Sequence, residues 1–252
     1  MQTFCENAAV FDHVEIRASD REASRRFYAT VLGSIGHELT HAGEDVDEWN
    51  DFGIAQAGRD RPITRGLHVA FVSSSRAQVE AFWRAGTDAG YPSDGEPGLR
   101  PQYHEDYYGA FLTDPDGNSA EAVFHGRVRK GEDVIDHLWI RVADLTATRR
   151  FYEAIAPSLG LHIRSSSRAE RFHVSAGDRS SALVQGGPTT ENVHLAFPAP
   201  DDEAVREFHR TALDAGYRDN GRPGPRSYHP GYYAAFVLDP DGNNVEAVNH
   251  NR

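Results

Sequence analysis

The chain has 252 residues, 39% hydrophobic and 25% charged, enough for one large or two ordinary hydrophobic cores. Its formal net charge of −12 argues against a nucleic-acid or anionic-membrane surface, and no apolar stretch approaches the ~18–20 residues that cross a bilayer. Cys5 is the only cysteine, which excludes an internal disulfide and, with an N-terminus lacking a signal-peptide pattern, points to the cytoplasm.

Residues 10–17 alternate as a strand, with His13, Glu15 and Arg17 on one face and Val14 and Ile16 on the other. Ser19 and Glu22 have the spacing of a capping box, and Ala23, Phe27 and Val31 follow at helical spacing. Short strands are expected through about residues 37–56, with the acidic run 43–51 (GEDVDEWND) as a surface loop. A second strand–helix pair opens at His68, with Val79, Phe82 and Trp83 on the helix and Gly90 as its stop. Residues 107–113, a Pro-Asp-Gly-Asn turn and residues 119–124 read as a hairpin. The charged run 126–133 (GRVRKGED) reads as a linker, dividing the chain into domains of residues 1–128 and 129–252.

Beyond the linker the same series recurs. DHVEIRA is answered by DHLWIRV, Arg25-Arg26-Phe27-Tyr28 by Arg149-Arg150-Phe151-Tyr152, and Asp88-Ala89-Gly90-Tyr91 by Asp214-Ala215-Gly216-Tyr217. The closing segments agree best, YHEDYYGAFLTDPDGNSAEAVFH against YHPGYYAAFVLDPDGNNVEAVNH. Within this repeat His13, His68 and Glu121 return as His137, His194 and Glu246, in steps of 55 and 53 positions, then 57 and 52. A lone strand histidine is usually a polar residue satisfied by hydrogen bonds. Two imidazoles and a carboxylate repeated in register point instead to two divalent-metal sites.

With these motifs the chain resembles the vicinal oxygen chelate superfamily, the glyoxalase/bleomycin-resistance/extradiol-dioxygenase group, over nearly its whole length. The resemblance implies an α+β fold of tandem glyoxalase-like domains, four βαβββ modules forming cupped mixed sheets around metal sites. It makes His13, His68, Glu121, His137, His194 and Glu246 the metal ligands. They combine either within each half or crosswise, as His13 with His194 and Glu246 and His137 with His68 and Glu121. A fourth ligand, usual for a glyoxalase-type lyase of this family, would come from a segment that here holds Gln56 and Gln185 in place of Glu. The extradiol signature His falls on His104 and His229, but its Tyr is replaced by Phe111 and Phe236.

The expected activity is therefore a metalloenzyme acting on a small oxygen-rich substrate, a dioxygenase before a lyase or isomerase. Fe(II) is the expected metal, with Mn, Ni or Zn as alternatives. His104 and His229 are the candidate catalytic residues. Arg100, Arg226, Tyr103, Tyr228, Tyr108 and Tyr233 are the candidate substrate contacts, although the tyrosines also suit a plain cup wall. The only expected partner is the small-molecule substrate, with neither nucleic acid nor membrane, in a monomer that is an internal pseudo-dimer or in a homodimer. The competing class is a metal-free protein that sequesters an antibiotic; such relatives often lose the ligands, which are intact here. Arg25-Arg26 and Arg149-Arg150 are most simply a solvated helix face, and Trp49, Trp83 and Trp139 packing.

Overall fold

One strand, one helix and three strands follow each other four times. The first pass is β1 (His13–Ala18), α1 (Arg21–Gly33), β2 (His41–Ala42), β3 (Val46–Trp49) and β4 (Phe52–Gln56). The second is β5 (His68–Val72), α2 (Arg76–Asp88), β6 (Ser93–Leu99), β7 (Tyr108–Thr113) and β8 (Ser119–Phe124). The third is β9 (Ile135–Val142), α3 (Leu145–Leu159), β10 (His162–Ser165), β11 (Arg171–Ala176) and β12 (Arg179–Gln185). The fourth is β13 (His194–Pro198), α4 (Asp202–Asp214), β14 (Arg218–Pro225), β15 (Tyr233–Leu238) and β16 (Asn244–Asn249). The structure is a computed structural model describing residues 10–129, 131–166, 170–176 and 179–252; Cys5 and Lys130 of the linker run lie outside the described residues.

Two mixed eight-stranded sheets result, in the orders β14-β15-β16-β13-β1-β4-β3-β2 and β10-β11-β12-β9-β5-β8-β7-β6. Residues 15–138 form one compact unit; residues 139–252, with residues 10–14, form the other. In the first unit α1 packs on α2, and in the second α3 packs on α4. No helix among the described residues is long and apolar enough to cross a membrane.

The elements follow from side-chain period. In β1 Val14, Ile16 and Ala18 are buried while His13, Glu15 and Arg17 are half-exposed, so the polar face is the one turned to the site. In α1 Phe27, Tyr28, Val31 and Leu32 make the buried stripe. Its N-cap is Asp20, whose carboxylate accepts from Ala23 N at 3.0 Å, not the expected Ser19; Asp144 caps α3 in the same way. Ser19 instead donates its backbone N–H to Asp116.

The acidic run 43–51 is not the surface loop the sequence suggests. It contributes β3, buries Trp49 fully, and buries Asp47 and Asp51 as well. Asp47 is offset by Arg21 at 3.3 Å and Arg25 at 3.7 Å, which takes Arg25 off the solvated face expected of it. The alternation that makes a strand outweighs the charge, because each of the two buried carboxylates finds a partner, Asp47 in two guanidinium groups and Asp51 in backbone amides.

Asp51 accepts from Val134 N at 2.7 Å and Ile135 N at 3.3 Å, fastening the start of β9. Burial raises its pKa to about 7, against the lowering effect of those amides. A carboxyl with a raised folded pKa adds stability that is full below its unfolded value near 4 and is lost as pH rises to about 7. Asp51→Asn keeps the acceptor and removes the titration. In urea melts across this window the variant should gain roughly 2–4 kcal/mol on the wild type between pH 4 and pH 8. Parallel curves would show that Asp51 is already charged in the fold at low pH.

Candidate metal centres

Two hairpins bring the ligand strands together. The Asp-Pro-Asp-Gly-Asn turn folds on itself: Asp114 Oδ1 accepts from Asp116 N and Asn118 N, and Gly117 takes φ +87. Asn118 is buried and reaches across to the next strand, accepting from Leu67 N at 3.1 Å and donating to Thr64 O at 3.2 Å. Asn243 repeats this with Val193 N and Thr190 O. The turn therefore bolts β8 beside β5, with His68 opposite Ser119 and Ala70 opposite Glu121, and β16 beside β13 likewise.

The third donor of each group comes from the other half of the sequence. β13 lies next to β1, through Asp12 N donating to Ala196 O, so His13 joins His194 and Glu246. β5 lies next to β9, through Val72 N donating to Val134 O, so His137 joins His68 and Glu121. The pairing is the crossed one, and each group lies wholly within one compact unit.

In the first group His13 Nε2 is 3.2 Å from His194 Nε2 and 3.6 Å from Glu246 Oε2, and His194 Nε2 is 2.8 Å from Glu246 Oε2. In the second, Glu121 Oε2 is 2.9 Å from His68 Nε2 and 3.8 Å from His137 Nε2. Donors at ~2.0–2.2 Å from one ion, at angles between octahedral and tetrahedral, stand roughly 2.8–3.6 Å apart. The first group fits a divalent ion as it stands; in the second, His137 lies just outside that range from Glu121 and closes on an ion only with a small shift.

Their surroundings hold the donors ready. Glu121 and Glu246 are buried, and in each the other carboxylate oxygen accepts from a buried tyrosine, Tyr107 or Tyr232, at 2.7 Å. Burial and the neighbouring glutamate push both phenols far above their usual range, which keeps them donors. His13 Nδ1 donates to Asp12 and His137 Nδ1 to Asp136, both at 2.8 Å, which leaves each Nε2 lone pair for an ion. Burial works against charge on His137, but Asp136 outweighs it and raises the pKa. Ser119 gives its single hydroxyl proton to Asp94, so it accepts from His68 Nδ1 at 3.2 Å; Asn244 lies against His194 Nδ1 at 2.5 Å.

Of the other residues singled out in the sequence, Phe111 and Phe236 stand beside two of the candidate donor histidines, 5.9 Å from the ring of His68 and 6.1 Å from that of His194. Arg100 and Arg226 lie over those phenylalanines, their guanidinium groups held by Glu96 O and Arg222 O. Tyr103 and Tyr228 are exposed and pack on Tyr107 and Tyr232, the first pair tilted and the second edgewise. Tyr108 and Tyr233 turn the other way, to Glu80 on α2 and Arg206 on α4. Strand alternation is the reason: the inner face takes Tyr107 and Phe111, the helix face Tyr108 and Leu112. His229 lies 5.2 Å from the Tyr232 ring, whereas His104 is exposed and accepts from Asp106 N. Gln56 spends its side chain on Ala18 O, Ser19 O and Arg21 N, and Gln185 is exposed. The sequence leaves Asp12, Asp136, His125 and His250 without a role, and places Tyr107 and Tyr232 only near the site, as cup wall. For the two aspartates the signal was there, in the repeated Asp-His pair.

The fold compares with solved structures over nearly its full length. The V278E mutant of maize (Zea mays) glyoxalase I matches with a TM-score of 0.68 and 20% identity, covering 95% of this chain and 92% of that one. Unmutated maize glyoxalase I gives 0.65 and 20%, over 95% and 92%. A Bacillus subtilis protein described as a candidate dioxygenase gives 0.62 and 14%, over 94% and 84%. At these identities the likeness is one of fold. No curated protein matches the chain. The family model of the Glyoxalase/Bleomycin resistance protein/Dioxygenase superfamily matches twice, over residues 10–122 and 134–247. With a tandem match over most of its length and four βαβββ modules to go with it, the chain belongs to that superfamily.

Proposed function

We propose that this chain is a metal-dependent enzyme that binds a small oxygen-rich substrate at two centres, His13/His194/Glu246 and His68/Glu121/His137, and that its reaction is a dioxygenation with Fe(II). The observation that carries this reading is the donor set itself: among the described residues each group has two imidazoles, one carboxylate and no fourth His, Cys, Asp or Glu. Such a set occupies one face of an ion and leaves positions for a chelating substrate and a second small ligand. When bound, the ion supplies a Lewis acid for neighbouring substrate oxygens and, as Fe(II), an electron source for O₂.

The chain's own residues do the rest. Asp12 and Asp136 fix the imidazole tautomers, and Tyr107 and Tyr232 hold the carboxylates by one oxygen while the other stays free. Phe111 and Phe236 keep water from the flank of His68 and His194. His229 is the better placed of the two candidate proton carriers, half-buried beside Tyr232, with His104 its exposed counterpart.

The test is anaerobic reconstitution with Fe(II), followed by addition of nitric oxide as a stand-in for O₂. About two irons per chain and a nitrosyl electron-spin signal are expected. Iron that binds but takes no nitric oxide would overturn the dioxygenase assignment. Refusal of iron with uptake of Mn, Ni or Zn would move the reaction to the lyase or isomerase class.

A further inference from the structure

The two centres have matching ligands and unlike surroundings. Behind His13 runs a chain of side chains to the surface: Asp12 Oδ2 accepts from His250 Nε2 at 2.7 Å, and His250 Nδ1 meets His229 Nε2 at 2.8 Å, the two rings stacked at 16°. Behind His137 the chain is short and different. Asp136 accepts from His125 at 3.1 Å and is clamped by Arg129 at 2.7 Å.

The difference has a local cause in the sequence. Pro230-Gly231 turns tightly, with Gly231 at φ +88 and so close that a Cβ there would stand 2.7 Å from His250 O; this seats His229 on His250. In the first half Glu105-Asp106 takes that place. Asp106 packs against Gly126, and His104 turns back to accept from Asp106 N instead of reaching His125.

Electrostatics then separates the two centres. Asp12 accepts hydrogen bonds from two imidazoles, and among the described residues no guanidinium pairs with it. Asp136 is almost wholly buried and its charge is neutralised by a guanidinium that is itself only 19% exposed. A fixed cation so placed opposes the arrival of another, and screening by water is weak there.

Resting on the metal reading above, we infer that the two centres fill in order: a divalent ion enters His13/His194/Glu246 first, with His250 positioning Asp12, and Arg129 holds back the second ion at His68/Glu121/His137. His250 and Arg129 are positioning residues, since neither touches the ion.

The experiment is titration of the metal-stripped chain with cobalt(II) chloride, read by ligand-field absorbance and by ions counted per chain in native mass spectra. Two steps are expected, the tighter lost in His194→Ala and the weaker lost in His68→Ala. His250→Ala should weaken only the tighter step, by about 10–100-fold, the size usual for such outer partners. His250→Gln keeps a donor for Asp12 and should restore it, which a merely structural role would not do. Arg129→Gln leaves Asp136 with two imidazoles, as Asp12 has, and should tighten the weaker step roughly tenfold. Two ions bound with equal affinity, or steps unmoved by both variants, would overturn the inference and leave the metal reading standing. No uptake at either centre would overturn both.

Discussion

The double variant His13→Ala/Glu246→Gln should still bind one metal ion per chain, whereas His13→Ala/Glu121→Gln should bind none. Each pair removes one histidine and one glutamate, so composition and charge change alike; only the crossed grouping tells them apart. Within one half of the sequence His13 stands with Glu121, and if that pairing held, the outcomes would be exchanged. Gln is chosen because it fills the same space and can still accept from Tyr232 or Tyr107. Losing an outer partner typically costs a metal site 10–100-fold, so loss of the carboxylate itself should exceed about 100-fold. The single variants should each retain one ion. Elemental analysis after dialysis against a stated free-metal concentration decides the matter, and equal retention in the two doubles would refute the grouping.

Asn118→Ala should be among the most destabilising single changes in the chain, at roughly 2–4 kcal/mol, and Asn243→Ala should match it. Each amide is buried and joins the Asp-Pro-Asp-Gly-Asn turn to the strand carrying His68 or His194. Alanine leaves the buried Leu67 or Val193 N–H without its acceptor and deprives the buried Asp114 or Asp239 of a donor. Burial raises the pKa of Asp239 to about 6 despite the donors around it, so losing one pushes it further towards the neutral form. Urea midpoints with an unchanged denaturant slope are the measurement. A loss below about 1 kcal/mol would mean that the turn holds its shape without the bolt.

Much of this molecule is legible without coordinates. The four strand–helix–strands passes follow from periodicity, the duplicated set of candidate donors from its register, and the hairpins from a turn whose residues admit little else. The misreadings are local and have physical causes. Asp20 displaces Ser19 as the cap because the helix starts one residue later. Tyr107 rather than Tyr108 faces Glu121 because a one-residue shift along a strand reverses every side chain. The acidic run folds as β3 because its alternation buries Trp49 and its aspartates find partners.

By itself the sequence singled out six candidate donors and the strands that carry them, since ligand type and side-chain period are local properties. Only the tertiary structure decided which donors meet. The choice rests on backbone hydrogen bonds such as Asp12 N to Ala196 O and Val72 N to Val134 O, which any residues can make. Within a half or across halves, the same apolar faces are buried and the same donors are offered. Nothing in the side-chain pattern distinguishes the two, and the partner strand is settled by contacts far apart in the chain.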